Sequence, residues 1–213
     1  IDFLMFRISE LQVPFYDGII VISTNLQKYY ARYTNKILRI PILCDTSKIA
    51  NRRPAPRYDS GAFKICFAGS VNCRKEGFQI LFEALNKVSG RRDVELYLYG
   101  MLLEKDGKQL MQLTEKYDLR NKVFYIGNVE PDELLNVFPK YNLLIIPRPL
   151  IPQTRYGFST KLSEYMISGV PVLVTDVSDN SIYIKDNCNG YIVPPGSSSL
   201  MAEKLLNVID TYN

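Results

Sequence analysis

The sequence predicts an α/β protein: a Rossmann-like, doubly wound and mainly parallel sheet with helices on both faces. Two patterns support this prediction. Short apolar, β-branched runs alternate with longer amphipathic stretches along the chain, which is the pattern of repeated βα units. The runs are apolar at nearly every position, as expected for strands that are buried on both faces of a parallel sheet.

The elements follow one another in regular alternation. Strands are predicted at 18–23, 37–42, 63–69, 94–100, 123–127, 143–147, 171–175 and 191–194, and helices at 76–89, 106–117, 131–140, 158–169 and 197–211. Four strands run into Gly69, Gly100, Gly127 and Pro147. Ligands bind at the carboxyl edge of open α/β sheets, so we expect these four strand ends to face one crevice.

The chain divides into three regions. Residues 62–213 carry the repeated βα pattern and form the predicted main domain. Residues 41–61 lack periodicity and contain several prolines and arginines, which indicates a surface loop or linker. Residues 1–40 contain one strand and one helix before the next strand, which suggests a segment that joins the main domain to a missing N-terminal domain. The sequence begins at Ile1 rather than Met, as expected for a fragment, and shows no signal peptide pattern.

Composition excludes several functions. The chain of 213 residues has a modest net charge of +4 and dispersed basic residues, so a dedicated nucleic-acid surface is not indicated. It contains no histidine, which removes zinc sites of the usual kind and Ser-His-Asp catalysis. The four cysteines (Cys44, Cys66, Cys73 and Cys188) form no CxxC pair and indicate reduced thiols in the cytoplasm. No apolar run is long enough to span a bilayer.

The stretch from Arg155 to Pro171 reads as a ligand-binding turn that opens into a helix. Ser159 and Thr160 are good helix N-caps, and the free N–H groups of the first turn can face an anion. Lys161 and Glu164 are three residues apart, which places both on the same side of the helix. On this segment alone, an ordinary capped helix with an ion pair explains the pattern equally well.

A second loop, which follows the strand at 63–69, adds positive charge at the same edge. Gly69 allows the backbone to approach a ligand closely, and Arg74 and Lys75 could neutralise a diphosphate. A βα loop with two surface cations is common, so the prediction depends on both loops facing one crevice.

Read together, these segments resemble the donor-binding half of retaining glycosyltransferases of the GT-B fold, specifically glycosyltransferase family 4, also called glycosyltransferases group 1. The resemblance runs in order through nearly the whole chain. Its motifs are YDGIIVIST at 16–24, IPILCD at 40–45, FAGS..CRKEGF..LFEAL at 67–85, LYLYG at 96–100, VFYIGNVEPDELLNVF at 123–138, STKLSEYMISGVPVLVTD at 159–176 and DNCNGYIVPPG at 186–196.

The resemblance implies a role for each matching residue. Lys75, in KEG, corresponds to the family's lysine that contacts the donor diphosphate, and Glu164 corresponds to the glutamate that holds the ribose hydroxyls; these two are the implied catalytic, donor-positioning residues. The remaining implied diphosphate contacts are Gly69, Ser70, Arg74, Ser159, Thr160 and Lys161, and the implied base contacts are Gly127, Asn128 and Val129.

Two positions depart from the family pattern. Tyr156 replaces a second glutamate that many members have eight residues before the ribose glutamate, and Ser70 replaces an arginine after the first-loop glycine. Arg155 and Tyr156 are therefore candidates for contact with the sugar or a phosphate. Arg74 or Arg155 is a candidate for replacing the lost cation.

Because of these two departures, the alternative function is that of a pseudoenzyme that acts as a scaffold. A dinucleotide-dependent oxidoreductase is disfavoured because no GxGxxG turn is present.

The expected function is binding of a UDP- or GDP-sugar within a glycosyltransferase that modifies a glycan, lipid or polysaccharide precursor. The acceptor belongs to the missing N-terminal domain, so this chain alone should bind the donor without turnover. No cofactor and no protein-held metal are expected; Asp176 and Asp179 are better explained as a capped turn. The expected location is the cytoplasm, with peripheral contact to the membrane left open.

Overall fold

The computed structural model describes residues 8, 10–41, 43, 45 and 61–212. Its centre is a six-stranded, entirely parallel sheet in the order β5-β4-β3-β6-β7-β8. The strands are β3 (Phe63–Ala68), β4 (Val94–Tyr99), β5 (Val123–Gly127), β6 (Leu143–Ile146), β7 (Val172–Thr175) and β8 (Tyr191–Val193). The predicted fold class is therefore confirmed.

The central strands are buried on both faces, which explains their continuous apolar sequence. In β3, Phe63, Ile65 and Phe67 belong to the core on one side of the sheet, and Cys66 and Ala68 belong to the core on the other. Successive side chains of a strand point to opposite faces, so a strand between two helical layers needs apolar residues at every position.

Helices cover both faces. The main ones are α2 (Phe78–Ser89), α3 (Glu104–Lys116), α4 (Pro131–Val137), α6 (Thr160–Ser168) and α8 (Ser198–Thr211). Apolar residues of α2, α3 and α8 complete one core, and residues of α4 and α6 complete the other. The helix predicted at 131–140 is α4 followed by a 3-10 turn (Phe138–Lys140), because Pro139 cannot donate a helical hydrogen bond.

Two short helices were not predicted. They are α5 (Pro152–Tyr156) and α7 (Asn180–Tyr183). With five and four residues, they are too short to produce a recognisable apolar periodicity. The first of them contacts the N-terminal part of the chain, and so does Asp179, the N-cap residue of the second.

The N-terminal unit consists of β1 (Ile19–Val21), α1 (Thr24–Tyr30) and β2 (Ile37–Arg39), with β1 and β2 pairing in parallel. It is held to the main sheet by Asp179, which is only 2% exposed. The Asp179 carboxylate accepts hydrogen bonds from the Thr24 N–H and pairs with Arg39 at 3.2 Å. The predicted loop 41–61, with Cys44, lies almost wholly outside the described residues.

No helix among the described residues is long and apolar enough to cross a membrane. Within the same part of the chain, no group of three or more acidic or cysteine side chains is arranged to hold a metal ion.

Candidate functional site

The candidate site lies where the direction of the chain through the sheet reverses. From β3 the chain continues outward through β4 and β5, and it then crosses back to place β6 on the other side of β3. The loops that follow β3 and β6 therefore separate at their carboxyl ends and leave a crevice, which is where open α/β sheets bind ligands.

The glycines that end β3, β4 and β5 bring their loops together at this edge. The Gly69 N–H donates to the Tyr99 carbonyl at 2.9 Å, and the Gly100 N–H donates to the Gly127 carbonyl at 2.8 Å. A Cβ added to Gly100, whose φ is +117°, would lie 2.1 Å from the Gly69 carbonyl oxygen. The close contact between these loops therefore requires glycine at position 100.

A cavity of about 370 Å³ opens at this edge. It is lined by residues from the ends of four strands and from two helices: Ala68, Gly69, Ser70, Lys75, Glu76, Tyr99, Gly100, Met101, Asn128, Val129, Leu134, Arg148, Thr160, Lys161 and Glu164. Its volume lies within the range of small-molecule sites. The predicted convergence of the strand ends on one crevice is thus observed.

The floor of the cavity is a cluster of three buried charges, which we call the charge triad: Glu76, Arg148 and Lys161. The Arg148 guanidinium forms two hydrogen bonds to the Glu76 carboxylate, at 3.1 and 3.2 Å. The Lys161 Nζ lies 3.0 Å from the same carboxylate. Two cations thus share one anion, so the triad carries a net positive charge when Lys161 is protonated.

Burial and mutual attraction act against each other within the charge triad. Burial alone would raise the pKa of Glu76, but Lys161 and Arg148 outweigh it and hold the carboxyl pKa below its ordinary value. Burial lowers the pKa of Lys161 to about 8, although Glu76 partly opposes the shift. Lys161 is therefore a cation at neutral pH that loses its charge in mildly alkaline solution.

Helix α6 begins at the cavity with unused polar groups. Ser159 occupies the predicted N-cap position, but its side chain makes no capping hydrogen bond. The hydroxyl is buried and has no partner among the described residues. Uncapped N–H groups at the start of a helix favour an anion there.

The side chain of Tyr165 fixes α6 against the end of β3. Its hydroxyl accepts a hydrogen bond from the Ala68 N–H at 2.7 Å and donates to the Ala68 carbonyl at 3.2 Å. Tyr165 is completely buried. The last pair between β3 and β6 is at Cys66, so the tyrosine replaces a strand partner for Ala68.

The Tyr165→Phe variant should lower the free energy of unfolding by about 1–3 kcal/mol, because it leaves a buried N–H without its acceptor. Urea unfolding of the purified chain measures the change. Tyr183→Phe is a matched control, since no hydrogen bond of the Tyr183 hydroxyl is found among the described residues, and its effect should stay within about 0.5 kcal/mol. Equal effects for the two variants would contradict the assigned role of Tyr165.

The structure brings most of the sequence-predicted residues together. Those that line the cavity are Gly69, Ser70, Lys75, Asn128, Val129, Thr160, Lys161 and Glu164. Gly127 and Ser159 lie directly beside lining residues in the chain. Arg74 lines a neighbouring cavity instead.

Arg155 and Tyr156, the candidates for sugar or phosphate contact, do not line the cavity. The Tyr156 ring packs edge-on against Tyr29, with centroids 5.7 Å apart, and its carbonyl accepts from Ser23 at 2.6 Å. The Arg155 carbonyl accepts from Asn25. Both residues thus connect α5 to the N-terminal unit.

Sequence reasoning missed Glu76 and Arg148. Glu76 is adjacent to the predicted Lys75, and its burial gives no local sequence signal. Arg148 follows the β6 strand end at Pro147, and the apolar run before it predicts only the strand. Glu76 and Arg148 can pair across the crevice only because β3 and β6 are neighbours in the sheet, and no local sequence pattern predicts that neighbourhood.

An open parallel sheet with a positively charged cavity at the reversal of its strand order defines a Rossmann-like ligand-binding domain. The chain belongs to the family described as glycosyl transferases group 1, whose sequence model matches residues 62–211. The predicted family relationship is therefore confirmed.

Two curated relatives agree with this assignment. An uncharacterized glycosyltransferase of Methanocaldococcus jannaschii is 28% identical over 138 residues, which cover 65% of this chain and 33% of the relative. Sucrose synthase of Melioribacter roseus is 29% identical over 113 residues, covering 51% of this chain and 14% of the relative. The matched regions thus span a third or less of these relatives.

Solved structures share the fold. Sucrose-phosphate synthase of Thermosynechococcus elongatus superposes with a TM-score of 0.81 at 17% identity, over 99% of this chain and 53% of that chain. HepE of Anabaena, in complex with UDP and glucose, superposes with a TM-score of 0.77 at 18% identity, over 96% and 57% of the two chains. The chain spans about half the length of these two solved chains.

Proposed function

We propose that this chain is the donor-binding part of a retaining glycosyltransferase and binds a UDP- or GDP-sugar in the cavity at the β3–β6 crevice. The observation that carries the proposal is the convergence of Lys75, the charge triad and the start of α6 on one cavity. Together they provide cations and free N–H groups for a diphosphate.

The groups that line the cavity suit different parts of a nucleotide sugar. Lys161 lies against the first loop, since a Cβ built on Gly69 would approach its Nζ to 2.9 Å, and this supports a contact with the diphosphate. Glu164 follows three residues later on α6 and lines the same cavity, which supports its proposed role in holding ribose hydroxyls. Asn128 and Val129 line the cavity from the loop after β5, which supports their proposed contact with the base.

In this proposal the protein promotes sugar transfer by stabilising the leaving nucleoside diphosphate. Lys75, Lys161 and the positive end of α6 act on the negative charge that develops as the glycosidic bond to the diphosphate breaks. Glu76 holds Lys161 at 3.0 Å and Tyr165 fixes α6 before the substrate binds, so these two groups need little reorganisation when the charge appears.

The acceptor is assigned to an N-terminal domain outside this chain, so the chain alone should bind without turnover. The two-stranded β1–β2 pair supports this, because Ile20 and Leu38 are 69% and 56% exposed. An isolated pair of short strands is rarely stable, and exposed apolar side chains on it favour packing against a larger sheet. The proposal includes no protein-held metal and places the protein in the cytoplasm.

Titration calorimetry of the purified chain with UDP and with GDP tests the proposal. We expect saturable binding of one of the two nucleotides in the micromolar to millimolar range. Absence of binding of both at millimolar concentration would reject donor binding and favour the scaffold alternative, which the replaced family residues at Ser70 and Tyr156 keep open.

Glu164→Gln separates ribose contacts from phosphate contacts. The variant should weaken binding of the nucleotide about tenfold, because it replaces a charge-assisted hydrogen bond to a hydroxyl. Binding of inorganic pyrophosphate to the same variant should be unchanged or slightly tighter, since a carboxylate repels an anion. Equal losses for both ligands would contradict the ribose assignment.

Nucleotide affinity should depend on pH through Lys161. The ammonium form binds the diphosphate, and its pKa of about 8 in the free protein means that this form is lost as the pH rises above that value. We expect affinity to fall about tenfold between pH 7 and pH 9. Calorimetry across this range measures the change, and a Lys161→Met variant should show a flat profile.

A further inference from the structure

A second cavity, of about 610 Å³, lies beside the candidate donor site. Its wall includes three basic side chains, Arg74, Lys75 and Lys105, and three amides, Asn72, Gln109 and Gln153. Lys75 lines both cavities. The two cavities are therefore neighbours that share the Lys75 side chain. The donor is assigned only to the cavity at the β3–β6 crevice.

The basic side chains of this second cavity are available for a ligand. Within the described part of the chain, Arg74, Lys75 and Lys105 take part in no ion pair. Arg74 and Lys105 are exposed at the cavity rim. The wall thus presents several hydrogen-bond donors that are not engaged in ion pairs, and such donors suit an oxyanion.

One carboxylate, that of Asp106, also belongs to the wall of this cavity. Asp106 is only 5% exposed, and its Oδ1 accepts the Cys73 N–H at 3.3 Å. Its role is to hold the first loop on α3. Three cations against one buried carboxylate leave the cavity with a clear excess of positive charge.

We propose that this second cavity binds a phosphate group of the acceptor. The inference rests on the proposed function, since a sugar acceptor has to approach the donor carbon next to the diphosphate. Since Lys75 lines both cavities, a phosphate held by Arg74 and Lys105 would lie beside the proposed donor site, and Lys75 would contact both substrates. The chain would thus contribute to recognition of a phosphorylated acceptor as well as of the donor.

Titration with sn-glycerol 1-phosphate, in the presence of saturating UDP or GDP, tests this assignment. The wild-type chain should bind one equivalent, and the Arg74→Gln/Lys105→Gln variant, also saturated with nucleotide, should bind it at least about fivefold more weakly. The matched control is Arg91→Gln/Lys185→Gln, since neither residue lines the second cavity. It removes the same charges from exposed positions away from the cavity and should bind like the wild type.

Two results would overturn the proposal: no binding of glycerol phosphate by the wild-type chain, or an equal loss in the control variant, which would indicate a net-charge effect only. If neither nucleotide binds, the same titration of the nucleotide-free chain tests the second cavity alone. Co-sedimentation with vesicles of phosphatidylcholine and phosphatidylglycerol distinguishes the source of the phosphate. Vesicle binding that the double variant weakens identifies a lipid acceptor, and binding of glycerol phosphate alone identifies a soluble one.

Discussion

Lys161→Met should lower the affinity for the nucleoside diphosphate by about 10- to 100-fold, because a hydrogen bond to a charged group contributes about 1.5–3 kcal/mol. Lys161 is 7% exposed and lines the donor cavity at the start of α6. Methionine keeps the length and apolar contacts of the side chain. The loss should therefore reflect the missing ammonium rather than a changed cavity.

The fold of this variant should be retained, because Arg148 still pairs with Glu76 through two hydrogen bonds. Calorimetry with the nucleotide that binds the wild-type chain gives the affinity, and urea unfolding checks stability. Lys108→Met is the control, since Lys108 is 73% exposed and pairs only with Glu104 on the same helix. An affinity within threefold of the wild type for Lys161→Met would reject a phosphate contact by Lys161.

Glu76→Gln should be the most destabilising single substitution in the site. It leaves Arg148 and Lys161 buried, at 8% and 7% exposure, without a counter-charge. Removing one partner of a buried ion pair costs about 3–5 kcal/mol. We expect a value near the lower end, about 3 kcal/mol, because the glutamine oxygen can still accept one hydrogen bond from Arg148.

The pH dependence of this destabilisation distinguishes an electrostatic cause from a packing cause. Lys161 has a pKa of about 8 in the wild-type chain, and loss of Glu76 should lower it further. At pH 9 the lysine is neutral and needs no counter-charge, so the variant should be less destabilised at pH 9 than at pH 6. A packing defect would give the same difference at both values.

Urea unfolding at the two pH values measures the effect. Glu115→Gln is the matched control, because Glu115 is 57% exposed on α3 and its pair with Arg120 at 3.2 Å is solvent-accessible. Such exposed pairs contribute at most about 1 kcal/mol. A Glu76→Gln effect as small as that of Glu115→Gln would show that the charge triad contributes little to stability.

Much of the candidate site could be predicted from sequence because its parts are local. The loop with Gly69 and Lys75 and the helix start with Thr160 and Lys161 each lie within a few residues of a strand or helix end. Such ends are visible as glycine, N-cap residues and a change of periodicity. The carboxyl ends of parallel strands share one edge, so these loops were expected to converge, and in the structure they do.

The parts that could not be predicted depend on contacts between distant segments. Lys161 was expected at a helix start on the same side as Glu164, but its burial and its sharing of Glu76 with Arg148 were not predicted. Tyr156 was a candidate ligand contact on account of its place in the motif, yet it packs against Tyr29, 127 positions earlier in the numbering of the chain. Neither arrangement has a signature in the neighbouring residues.

The fold class, the order of the strands and helices along the chain, the family and most of the cavity wall could be predicted from the sequence. Each of these follows from periodicity, strand ends or motifs, which are properties of short segments. The structure was needed to show that β6 lies beside β3, that Glu76 and Arg148 meet across the crevice, and that Arg74 faces a second cavity. Burial, pKa and charge pairing are set by neighbours in space, and the neighbours of a side chain are fixed only when the sheet is assembled.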